Sequence, residues 1–149
     1  MKNTYLTIPV ILFIIDRFIK YIIPNINIGD GFLKVGIYRN YAGAFSLPIA
    51  GILYDIAGIT LLIIFTILFF KEWKITKSYN LKPIAYSLIV LGGASNLFDR
   101  IYFDYVIDYV QVLQRSFFNI ADGMIIAGIV ILLNCYIVEH KKTNSNITI

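Results

Sequence analysis

Apolar residues run almost unbroken through four windows, about 5–23, 52–70, 83–98 and 122–138, and polar residues collect between them. A helix needs roughly 20 apolar residues to cross about 30 Å of hydrocarbon, so each window reads as a transmembrane helix. The last two are short and have to lean on polar neighbours at their ends. The pattern predicts an α-helical integral membrane protein, a bundle of four transmembrane helices forming one domain over residues 1–149. Phe32–Tyr38 and Val106–Val110 are too short to cross and rich in β-formers, so the outer segments 24–51 and 99–121 are expected to carry a small β-rich layer.

Composition strengthens this reading. Hydrophobic residues make up 58% of the 149 positions and charged residues 15%, with a mean hydropathy of +0.75, more apolar than an ordinary soluble domain. Asp16, Arg17 and Lys20 interrupt the first window and no small-x-small cleavage site follows it, so it reads as a retained span and not as a secretory leader. Lys71, Lys74, Lys77 and Lys82 crowd the 71–82 connector, and Lys141 and Lys142 the tail, whereas 99–122 holds Asp99, Asp104, Asp108 and Asp122 against Arg100 and Arg115. By the positive-inside rule the connector and both termini face the cytoplasm. The net charge of +4 is then a topology signal, and no basic stripe suggests nucleic acid. A lone Cys135 and a lone His140 supply neither a disulfide framework nor a His/Cys metal set.

Charges beside a span are costly to keep there, so their positions carry the functional information. Asp16 falls roughly 17 Å into the first span, and Lys20 one turn on shares its face. An acid four residues before a base is the favourable order. The pair reads equally well as a buried ion pair orienting the helix or as a ligand contact, while Arg17 points elsewhere and snorkels. Gly92, Gly93, Ala94 and Ser95 make a smooth surface suited to tight helix packing. Six rings, Tyr102, Phe103, Tyr105, Tyr109, Phe117 and Phe118, read as an interfacial aromatic belt. Asp122 alone reads as an acid at a helix N-terminus. An outward third span and an inward fourth, however, bring Asn96, Asp99, Asn119 and Asp122 to similar depth, with Asp108 on the loop between. Two carboxylates that meet there cannot readily both ionise, and a shared proton supplies a base and an acid together, as peptide hydrolysis by water requires.

In order along the chain, Asp16…Lys20, Arg39-Asn40…Ala44-Phe45-Ser46, Asn96-Leu97-Phe98-Asp99-Arg100, Val106-Ile107-Asp108 and Phe118-Asn119-Ile120-Ala121-Asp122 resemble the bacterial lipoprotein signal peptidases. These are also called signal peptidase II and are aspartic endopeptidases of the cytoplasmic membrane. The resemblance implies that Asp108 and Asp122 are the catalytic pair. Asp16, Lys20, Asn40, Asn96, Arg100 and Asn119 would line or support the site, and Asp99 would be more structural. It further implies a diacylglyceryl-modified prolipoprotein substrate cut just before the lipidated cysteine at a site near the outer leaflet. Membrane lipid is the other expected partner, the protein is expected to be a monomer, and two carboxylates acting on water need no metal or other cofactor. Three positions depart from the family: Ser95 stands where it usually has Gly, Asp104 where Gly is common, and residues 42–44 transpose the usual Gly-Ala order; Ser95 and Asp104 bear on rate and substrate preference.

Three other readings compete. A small polytopic transporter or channel subunit would place ionisable groups near mid-membrane on broken helices, and only Asp16 is near that depth. A serine protease using Ser95 or Ser46 with Lys20 would lack a Gly-x-Ser-x-Gly elbow. An assembly factor would use every polar residue as helix glue.

Overall fold

The computed structural model describes residues 4–29, 32–41, 52–75, 80–113 and 116–145. Four long helices, α1 (Thr4–Ile22), α2 (Ile52–Ile75), α3 (Lys82–Phe103) and α4 (Ile120–Ser145), are joined by strands β1 (Asn27–Ile28), β2 (Leu33–Asn40), β3 (Val106–Val112) and β4 (Ser116–Phe118). The transposed 42–44 stretch, with Phe45 and Ser46, lies outside the described residues. Helix α3 is central and packs against the other three. Both α3 and α4 run well past the short apolar windows of the sequence, because their polar ends, Asp99–Phe103 and Glu139–Ser145, stay helical. Asp55–Ile75 and Ile120–Lys141 are long and apolar enough to cross a membrane. In α1 the charges Asp16, Arg17 and Lys20 interrupt the apolar run, but all three turn toward α3 and its neighbours.

Close approach of α3 and α4 follows from glycine. A Cβ at Gly92 would meet the Ala121 carbonyl oxygen at 2.6 Å, and one at Gly128 would meet that of Ala85 at 2.6 Å. The smooth surface expected around Gly92 is therefore a helix contact. The C-terminus of α3 is closed by Asp104, whose φ of 63° is left-handed and whose N–H donates to the Arg100 carbonyl at 3.0 Å. Left-handed backbone at this position favours Gly and tolerates Asp poorly by comparison. That requirement explains why Gly would be common where this chain has Asp104.

The strands form one antiparallel sheet in the order β1-β2-β3-β4. It sits on the end of the bundle through a core of Ile23, Ile107 and Tyr109. Between β2 and β3 the pairing runs Val35↔Val110 and then Tyr38↔Asp108, so β2 holds one residue more than its partner across this stretch. An extra residue reverses the inward and outward alternation beyond it. As a result Tyr38 and Asn40 lie on the same side of the sheet as Asp108.

Candidate active site

Helix α4 begins inside the protein, and side chains from β3, from α1 and from the residue preceding the helix complete its first turn. The N-terminal N–H groups of a helix have no partner within it and need one when buried. Asn119 is the cap: its Oδ1 accepts from the Asp122 N–H at 2.8 Å, and the Asp122 carboxylate accepts in return from the Asn119 N–H at 3.3 Å. This reciprocal pair is a capping box with Asp in the place of the usual Glu. The Ile120 N–H donates to the Tyr109 hydroxyl at 2.8 Å and the Ala121 N–H to Asp16 Oδ1 at 3.3 Å. Asp122 is thus the helix N-terminal acid that its position suggests, and it also faces a cleft.

That cleft, about 960 Å³, lies among α2, α3, α4 and the sheet. Asp108 and Asp122 both line it, with Asn40, Asn96 and Arg100. Asn119 joins the two carboxylates: its Nδ2 donates to Asp108 Oδ1 at 2.7 Å while its backbone N–H holds Asp122. Asn40 Nδ2 donates to Asp108 Oδ2 at 2.9 Å, and Asn96 Nδ2 to Asp122 Oδ1 at 2.8 Å. Burial pushes the Asp108 carboxyl up to about 6, opposed by the Asn40 amide and assisted by the negative charge of Asp122. A carboxyl raised in this way can hold a proton near neutrality. Arg100 approaches Asp55 at 3.8 Å, an ion-pair distance too long for a hydrogen bond.

A second polar cluster lies behind the cleft, between α1 and α3. Lys20 Nζ contacts Asp99 at 2.8 Å, Asp16 at 3.0 Å and Asn96 Oδ1 at 3.0 Å, with Lys20 2% exposed and both acids at 0%. Asp16 and Lys20 are the ion pair that their spacing allows, and neither is among the residues lining the cleft. Asp99 turns away from the cleft toward Arg17, Lys20 and the Ile107 N–H. Lys20 reaches the cleft indirectly, since its bond to Asn96 Oδ1 fixes which end of that amide faces Asp122.

Two expectations need correction. Arg17 does not snorkel: Nη1 binds Asp99 Oδ1 and contacts Ser95, and the guanidinium stacks 4.4 Å from the Phe98 ring centre. A helix position outside the Asp16–Lys20 face is free to meet a neighbouring helix whose location the α1 sequence does not reveal. Tyr109 is not part of an interfacial belt, being 3% exposed, with its hydroxyl donating to Asp16 Oδ1 at 2.8 Å. Strand alternation contained this signal, because if Asp108 faces a cleft, residues 107 and 109 face the opposite way. Ser95 also has a role that composition hides. It is fully buried, and its hydroxyl donates to Asp16 Oδ2 at 2.6 Å and accepts from Arg17 at 3.3 Å.

A family model described as Signal peptidase (SPase) II matches residues 8–138. A lipoprotein signal peptidase of Listeria monocytogenes serotype 4a is 30% identical over 150 residues, spanning 93% of this chain and 96% of the relative. One from Caldicellulosiruptor bescii is 32% identical over 127 residues, 80% of this chain and 81% of the relative. The fold is similar to a bacterial membrane enzyme solved by the in meso method at 2.3 Å resolution, with TM-score 0.77 and 26% identity over 94% of this chain and 91% of that one.

Proposed function

Because the chain belongs to the signal peptidase II family and so acts as a lipoprotein signal peptidase in a bacterial membrane, we propose that it is an aspartic endopeptidase whose working pair is Asp108 and Asp122. The observation that carries this reading is the sharing of Asn119 by two carboxylates that line one cleft. The substrate is a diacylglyceryl-modified prolipoprotein, cut just before the lipidated cysteine. A cleft walled by Leu61, Leu62 and Phe65 of α2 and by Ile125, Ile126 and Ile129 of α4, with the carboxylates at one end, supports a ligand that is mostly apolar and has one reacting peptide bond.

The pair holds one proton between its members. The ionised Asp takes a proton from water as the water oxygen bonds to the scissile carbonyl carbon, and the protonated Asp donates to the carbonyl oxygen. Collapse of the tetrahedral intermediate re-forms the carbonyl and breaks the C–N bond, with a proton passing to the leaving amine. The pair is left singly protonated again. Asn40, Asn96 and Asn119 keep both carboxyl groups aimed at the same water, and Arg100, which lines the same cleft, orients the peptide. Four crossings of the cytoplasmic membrane, with both termini inside, would set the pair near the outer leaflet, where the lipid of the substrate anchors its cysteine.

The direct test is purified protein with a lipidated precursor peptide and its unlipidated twin, the products identified by mass. Cleavage before the cysteine, confined to the lipidated peptide, is expected. Flux of a solute without any cut product would favour the transporter reading instead.

The environment of Asp108 gives a signed pH prediction. The Asn40 amide stabilises ionised Asp108, so Asn40→Ala lets burial push this carboxyl further above about 6. The pair then keeps its shared proton to higher pH. One hydrogen bond to a charged group corresponds to about one to two pH units, so the alkaline limb of the kcat/KM profile should move upward by about one unit or more. A downward shift would contradict this account of Asp108.

A further inference from the structure

The buried hydroxyl of Tyr109 is one polar group that the hydrolysis above does not use. Tyr109 follows Asp108 on β3, yet its side chain leaves the opposite face of the strand and passes into the protein. There the hydroxyl donates to Asp16 Oδ1 on α1 at 2.8 Å and accepts from the Ile120 N–H at the start of α4 at 2.8 Å. Burial, reinforced by the neighbouring Asp16 carboxylate, pushes the phenol well above its ordinary range, so the proton stays on and the donor is permanent. The ring packs with Ile23 and Ile107 in the core. One rigid side chain therefore joins the strand carrying Asp108 to the first residue of the helix carrying Asp122, and fixes both to α1.

We propose that Tyr109 is a positioning residue of the peptidase, setting the separation of the two carboxylates through the first turn of α4. The inference rests on the two-carboxylate reading above. Without the hydroxyl, the Ile120 N–H has no acceptor at its buried helix end, and Asp16 Oδ1 keeps only the 3.3 Å bond from the Ala121 N–H. The turn that places Asp122 two residues later is then free to shift relative to β3. Tyr109 touches neither the cleft nor the reacting bond, so substrate binding should be unaffected while the chemical step suffers. A displacement of about 1 Å at reacting groups can cost about 100-fold in rate.

The test compares the wild type with Tyr109→Phe, Tyr109→4-aminophenylalanine and Asp108→Asn in the full chain, measuring kcat and KM on a lipidated precursor and thermal unfolding in the same detergent. Tyr109→Phe should lose about 10- to 100-fold in kcat per folded molecule, with KM within about two-fold. The amino variant keeps a donor to Asp16 but offers the Ile120 N–H only a poor acceptor, so it should stay reduced about 10-fold in kcat. Combining Tyr109→Phe with Asp16→Asn should cost less than the product of the single losses, because both break the same link. Wild-type kcat in folded Tyr109→Phe, or a loss residing in KM alone, overturns the proposal. Should the Phe variant not fold, the folded amino variant decides: kcat reduced about 10-fold with KM unchanged supports the proposal, and kcat within about three-fold of wild type overturns it. Asp108→Asn separates the two levels: if it retains turnover, the two-carboxylate reading itself fails, whereas an inactive Asp108→Asn beside a fully active Tyr109→Phe removes only the positioning role.

Discussion

Asp108→Asn and Asp122→Asn are each expected to lower cleavage of a diacylglyceryl-modified precursor by about three orders of magnitude, within the range by which positioned acids and bases accelerate proton transfer. The change is nearly isosteric, but it leaves a group that can neither take the proton of water nor share one with its neighbour. The two Asp108 oxygens accept from Asn119 Nδ2 and Asn40 Nδ2, so the NH2 of an Asn at 108 would face another donor whichever way it turned. Some of the effect on Asp108→Asn is therefore local repulsion. Thermal unfolding and membrane insertion have to be measured alongside turnover to separate the two. Near-normal turnover in either folded variant would exclude the paired mechanism.

The second large effect is on stability. Lys20→Met should destabilise the protein by about 3–5 kcal/mol, the usual cost of removing one partner from a buried ion pair. Lys20 Nζ serves two fully buried acids, Asp16 and Asp99. After its loss Asp99 retains Arg17, and Asp16 retains only the neutral donors Ser95, Tyr109 and the Ala121 N–H. Removing the Asp16 charge as well, in Lys20→Met with Asp16→Asn, should restore part of the stability. Unfolding midpoints in one detergent would decide this. If the single variant melts with the wild type, the cluster behind the cleft does not hold α1 to α3.

Much of this was legible from spacing. Asp16 and Lys20 are one helical turn apart, and their pairing needs only the geometry of α1. The meeting of Asn96, Asn119 and Asp122 follows from α3 and α4 running in opposite directions, and the strand character of Val106–Val110 offered Asp108 to the same place. What the chain did not disclose depends on partners distant in sequence. Arg17 meets Asp99 across 82 positions and Ser95 meets Asp16 across 79; no periodicity within α1 or α3 encodes which turn of one lies beside which turn of the other. The place of Tyr109 is hidden in the sequence for a different reason. An aromatic cluster beside a span resembles an interfacial belt by composition, while strand alternation, which separates Asp108 from Tyr109, was the better guide.

The additional residue in β2 has an implication for how such sequences vary. Insertions and deletions in surface hairpins usually drift without consequence, but lengthening this one by a single position before Arg39 would turn over every side chain beyond it. Arg39, which opposes Ile107 and reaches 5.5 Å from the Tyr105 ring centre on the far face, would then arrive where Asn40 now meets Asp108. A guanidinium there would favour the ionised form of that carboxyl, and the pair would lose its shared proton at lower pH. Hairpin length is accordingly a chemical parameter in this chain, and a homologue with one more residue in this strand would have to hold that proton by other means.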